Sequence, residues 1–125
     1  MNKNCTDIKQ SKKLVKILPI ESADFHFSAN QSPQGYLEKP IWGNPEYANY
    51  NALPCWSLAA LVDVLPRFIE FNGDKYYLRF MKEYVEYAND ELFIITGRCL
   101  HTIGNDNLVD ACVEMIIKLK KEKLL

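Results

Sequence analysis

The chain has 125 residues, 48% of them hydrophobic and 25% charged, with 15 basic against 16 acidic side chains and a formal net charge of -1. At this length roughly two thirds of the unfolded surface is buried on folding, so one ordinary domain, residues 1–125, forms a core without metal or disulfide staples. The composition excludes a disordered chain, and no apolar run nears the ~18 residues of a membrane span. Residues 1–13 are polar and lack the apolar centre of a signal peptide, which gives the expectation of a soluble, cytoplasmic protein with no membrane partner.

Three stretches divide the chain. In residues 1–19, Asp7 precedes Ile8, Leu14, Val15 and Leu18, with lysines between them and Pro19 as the stop, which predicts a short amphipathic helix. Residues 20–54 form an irregular arm rich in proline, glycine and asparagine, with brief strands expected only at Phe25-His26-Phe27 and at Tyr36-Leu37. Residues 55–125 carry the core. Ser57 is placed to cap a helix with Leu58, Leu61, Val62 and Leu65 on one face, Trp56 is placed to staple onto Leu61, and Pro66 ends that helix. Residues 67–71 and 75–81 flank Asn72-Gly73 and read as a β-hairpin, with Tyr76, Leu78 and Phe80 sharing a face. Strands are expected over 84–87 and 92–101, with Asn89-Asp90 turning the chain between them and a break at Gly97. Asn105 or Asp106 then caps a last helix bearing Leu108, Ala111, Cys112, Met115, Ile116 and Leu119, widened by Val109, Val113 and Ile117. The fold class is therefore α+β: a small antiparallel sheet of three to four strands packed by helices, an αβββα-like core, with an extra N-terminal helix and an extended arm.

The segments Pro54-Cys55-Trp56-Ser57-Leu58-Ala59-Ala60-Leu61 with Leu65-Pro66, and the run from Asn105 through Ile116 with Leu119, resemble those of a group of small proteins found in gut bacteria, their phages and mobile elements. Gln10-Ser11-Lys12-Lys13-Leu14 and Glu21-Ser22-Ala23-Asp24 fit the same group, so the resemblance touches most of the chain apart from residues 28–50. In element order the pattern is similar to the phage αβα-sandwich domain family. The matching residues are caps and core positions, so the resemblance implies a fold and a phage or mobile-element context and carries over no catalytic residue.

Cys99 and His101 alternate on an expected strand, about 7 Å apart at Cα, and Cys112 follows on the helix. Structural zinc sites use paired cysteines at short spacing, so packed groups are the better reading, with no metal and no other cofactor. As a thiol nucleophile and base, Cys99 and His101 lack any signal for thiolate activation or an oxyanion hole. Glu83, Glu86, Asp90 and Glu91 read as a solvated acidic rim, and Asp106 and Asp110 as capping and dipole residues. His26, between two phenylalanines, reads as a satisfied surface or core histidine and not as a base. The cysteines Cys5, Cys55, Cys99 and Cys112 read as reduced thiols.

The candidate binding residues are Tyr36, Trp42, Tyr47 and Tyr50, aromatic side chains on the proline-rich arm of the kind that protein interfaces and single-strand stacking platforms use; the other reading is that they fold back over the small sheet and finish its core. The function expected is that of a non-catalytic, phage- or mobile-element-related accessory protein acting on a protein partner, with a second copy of the chain also compatible. The alternative is an RNA-binding module of double-stranded-RNA-binding-domain-like topology. Asp106 and Asp110 at the start of the last helix, where that domain places lysines, disfavour nucleic acid as a partner.

Overall fold

The computed structural model describes residues 4–27, 33–35, 53–89 and 99–125. They fall into two compact units, Met1–Val64 and Leu65–Leu125. Together they are α+β, with antiparallel sheets and helices as expected. Among the described residues no helix is long and apolar enough to cross a membrane.

In the first unit, α1 (Ile8–Leu14) begins with a reciprocal cap: the Gln10 amide donates to Asp7 Oδ1 at 2.7 Å, and the Asp7 amide donates to Gln10 Oε1 at 3.0 Å. Its inward face is Ser11 and Leu14. The helix stops four residues short of the expected Leu18 because the chain tightens ahead of Pro19, with Ile17 donating to the Leu14 carbonyl at 3.0 Å. A short 3-10 turn (Ile20–Ser22) leads into β1 (Phe25–Phe27). That strand is the centre of a three-stranded antiparallel sheet, between β2 (Pro33–Gly35) and β3 (Pro54–Cys55). Strand β2 was not foreseen; its proline is tolerated because β2 lies at the sheet edge, where no ladder donor is needed.

Trp56 organises this unit. Its side chain is fully buried, and its indole Nε1–H donates to Ser22 Oγ at 2.9 Å, so the one polar atom of the ring is satisfied. Its backbone is tied to Thr6 on both sides: Thr6 N donates to the Trp56 carbonyl at 2.9 Å, and Trp56 N donates to Thr6 Oγ1 at 3.0 Å. Ser57 caps α2 (Leu58–Val64) as expected, its Oγ accepting from the Ala60 amide at 3.2 Å. The same hydroxyl donates to Asp24, whose other carboxylate oxygen accepts from the Ser57 amide at 2.9 Å. These bonds to residues 6, 22 and 24 are why α2 belongs with the first unit and not with residues 65–125.

The second unit is a four-stranded antiparallel sheet in sequence order: β4 (Phe68–Phe71), β5 (Asp74–Met81), β6 (Tyr84–Ala88) and β7 (Cys99–Gly104). Asn72 and Gly73 both have positive φ, 53° and 84°, the signature of a two-residue type I′ turn whose twist matches its strands. Along β5, Tyr76 is buried and Leu78 and Phe80 are half-buried, while Lys75, Arg79 and Met81 are exposed, the period-two alternation anticipated. The strand expected over 92–101 is described from Cys99 and continues to Gly104, since Ile103 still pairs with Val85. Residues 90–98, including Asp90, Glu91 and Gly97, lie outside the described residues.

The closing helix α3 (Leu108–Lys121) packs on β6 and β7. Its cap is Asn107, whose side chain accepts from the Asp110 amide at 3.2 Å, and not Asn105 or Asp106. Asn105 is used one turn earlier, accepting from the Asn107 amide at 2.9 Å. Val109, Ala111, Cys112, Val113, Met115, Ile116 and Leu119 are all buried, the broad apolar face that the spacing indicated. Beneath it lie Val85 and Tyr87, both fully buried, with the Tyr87 hydroxyl donating to the Pro66 carbonyl at 2.7 Å.

Candidate functional site

Two local irregularities build a groove in the second unit. On β7, Tyr87 pairs with His101 and Ala88 with Cys99, so Leu100 is an extra residue, a β-bulge. The bulge lets Leu100 and the next residue, His101, line the same groove in place of opposite faces. At the end of α3 the Leu124 amide donates to the Leu119 carbonyl at 2.8 Å and the Lys123 amide to the Lys120 carbonyl at 3.2 Å. With Glu122 as the C-cap and Lys123 at φ 61°, this is a Schellman motif, and it folds Leu124 back over the helix end.

The result is a groove of about 320 Å³ lined by Phe71, Leu100, His101, Glu122 and Leu124. Phe71 and His101 come from opposite edge strands of the sheet, so the sheet curls enough for both to reach one groove. His101 Nε2–H donates to Glu122 Oε2, which fixes the imidazole against one wall. The histidine side chain is 11% exposed and the glutamate 42%, so the pair offers its carboxylate side to solvent. Phe71 is 42% exposed, with Phe68 and Met81 exposed on the same hairpin. Chemically this is an apolar slot with one ionic wall, suited to receiving an apolar side chain or small apolar body.

On the other face of the hairpin, Phe68 and Tyr77 are directly paired, their rings 5.9 Å apart and tilted by 46°, with Lys75 Nζ 4.9 Å from the Phe68 ring centre. Arg79 bridges to Glu86 at 2.6 Å, and Thr102 Oγ1 donates to the same carboxylate at 3.3 Å. Glu86 is therefore not part of a solvated rim: it is buried between its two cross-strand partners, which compensate the charge. Glu83 does sit exposed in the turn before β6.

Of the residues singled out in the sequence, Tyr36, Trp42, Tyr47 and Tyr50 lie outside the described residues, as does the Tyr36-Leu37 strand. The structure takes His101 to the groove and Cys112 away from it, into the interface beneath α3, where burial pushes its thiol up to about 12. The side chain of Cys99 is outside the described residues. Among the described residues no three His, Cys, Asp or Glu side chains gather as a metal site requires. His26 lies half-buried on β1. Asp106 is exposed before the cap, and Asp110 occupies the first turn of α3. Phe71, Leu100, Glu122 and Leu124 carry no signal in the sequence, because neither a bulge nor a left-handed lysine is announced by residue type.

Comparison with protein-family models, with curated proteins and with solved structures finds no match to this chain.

Proposed function

We propose that the protein is a non-catalytic accessory protein of phage or mobile-element origin that acts by binding another protein. The observation that carries this reading is Phe71: a large aromatic residue, 42% exposed on an edge strand, lining a groove whose other walls include Leu100 and Leu124. Apolar side chains left in water beside a preformed slot are what interfaces use as anchors, and strand edges are where a partner adds main-chain hydrogen bonds. The phage or mobile-element context is supported by the resemblance carried by Trp56-Ser57 ahead of the helix Leu58–Val64 and by the closing helix with its aspartate-alanine pair, Asp110-Ala111. The aromatic arm, with Tyr36, Trp42, Tyr47 and Tyr50, is the second surface in this proposal.

The test is affinity capture from host and phage-infected lysates with the full chain. Each captured protein is then purified and rebound to wild type, Phe71→Ser and the Tyr47→Ala/Tyr50→Ala double variant. A purified partner whose binding falls at least tenfold with one of these variants supports the reading. A partner whose affinity is the same for all three removes both surfaces from the proposal.

A further inference from the structure

We propose that Cys5 and Cys55 are an oxidisable dithiol: a modification site at which a peroxide joins them in a disulfide that staples the N-terminal segment to β3.

The argument begins with register. Cys5 forms an isolated antiparallel bridge with Ser57, reinforced by the Thr6 amide donating to the Trp56 carbonyl at 2.9 Å. Cys55 lies two residues before Ser57 along the same extended stretch, so its side chain leaves on the same face as that of Ser57, diagonal to Cys5. The two thiols are close enough to share a hydrogen bond, although both are free. Diagonal neighbours stand about 7–8 Å apart at Cα, and relaxed disulfides span about 4.4–6.8 Å. Closing the disulfide therefore requires the two backbones to approach by about an ångström.

Accessibility gives the two sulfurs different roles. Cys5 is half-buried and meets solvent; Cys55 is fully buried. Burial raises both thiols, with the charge of Asp24 adding to it, and Cys55 is pushed up to about 12. The hydrogen bond from Cys55 works the other way on Cys5. Cys5 is thus the sulfur that reacts first, and Cys55 the one that resolves. The resting state is the dithiol.

The chemistry balances with hydrogen peroxide as oxidant. The Cys5 sulfur attacks one peroxide oxygen, the S–O bond forms as the O–O bond breaks, and the hydroxide that leaves takes the Cys5 proton away as water. The Cys55 sulfur then attacks the sulfenic sulfur of Cys5, forming S–S as S–O breaks, and the departing hydroxyl leaves with the Cys55 proton as a second water. Two thiols have lost two electrons to one peroxide.

Two measurements on the unaltered full chain test this. Phenylarsine oxide, which spans two adjacent thiols, is expected to add once to the reduced protein and to protect Cys5 and Cys55 together from later alkylation. One equivalent of hydrogen peroxide is expected to lower the intact mass by two hydrogens, to yield a linked Cys5–Cys55 peptide on digestion, and to raise Tm. With Cys55→Ser, dimedone is expected to trap Cys5 as its sulfenic acid, whereas wild type escapes the label. A peroxide-treated wild type in which Cys5 stays sulfenic or is oxidised further with no linked peptide would overturn the proposal. So would a disulfide to Cys99 or Cys112, or an arsenical that leaves Cys5 and Cys55 separately alkylable.

Discussion

The Leu124 amide donates to the Leu119 carbonyl at 2.8 Å, and this one bond returns the chain end across the last turn of α3 to make a wall of the groove. Lys123 must adopt φ 61° for it to form, a conformation that disfavours any side chain with a Cβ. Lys123→Gly is therefore expected to stabilise the protein by about 1 kcal/mol, read as a higher urea midpoint with an unchanged m-value. A lower midpoint would mean that the lysine side chain holds the helix end in some further way.

The hairpin turn gives the converse substitution. A Cβ at Gly73 would meet no atom within 4 Å, so Gly73→Ala isolates the conformational penalty of φ +84°. A loss of about 1–2 kcal/mol is expected by chemical denaturation. No loss would show that the turn relaxes to another type at little cost.

Tyr87→Phe removes only the hydroxyl that donates to the Pro66 carbonyl at 2.7 Å, leaving the ring in its fully buried place. The acceptor loses its partner, and a loss of about 1–2 kcal/mol is expected. A neutral result would show that water replaces the donor.

Alkaline pH should unfold the protein through its buried thiols. Cys55 and Cys112 stand at about 12 against an ordinary 9.0, both chiefly through burial, so the fold holds the proton that the unfolded chain gives up. The folded state then binds more protons over that window. The urea midpoint, measured in the presence of reductant, should be unaffected by these thiols below pH 9 and fall as pH rises from 9 toward 12. Tyr87, raised in the same sense by burial and by Cys112, adds to that fall. Cys112→Ala should make the alkaline slope shallower than in wild type.

The parts of the fold that could be read from sequence are those set by neighbours along the chain. Asn72-Gly73 between two alternating runs dictates its hairpin, Ser57 its cap, and the spacing of Cys112, Met115 and Leu119 its buried face. Where several adjacent residues had equal standing, choice failed: Asn105, Asp106 and Asn107 are all capping types, and only the register of Asn105 with Asn107 decides among them. Tertiary geometry was beyond reach. Glu86 is buried because Arg79 and Thr102 happen to flank it in the sheet, and the thiols of Cys5 and Cys55 meet across fifty residues of sequence. The groove needs a bulge at Leu100 and a left-handed Lys123, two backbone events that no residue type signals.

A photo-crosslinking phenylalanine analogue placed at position 71 of the full chain tests for a protein contact anchored at the groove. Irradiation is carried out with the purified partner from affinity capture. A covalent adduct mapped to residue 71 is expected, suppressed by excess unlabelled wild type, together with a loss of affinity of about 30-fold or more in Phe71→Ser, as for an interface anchor. Undiminished affinity in Phe71→Ser with no adduct at 71, or submicromolar binding of duplex RNA that survives about 150 mM salt, would overturn the proposed contact.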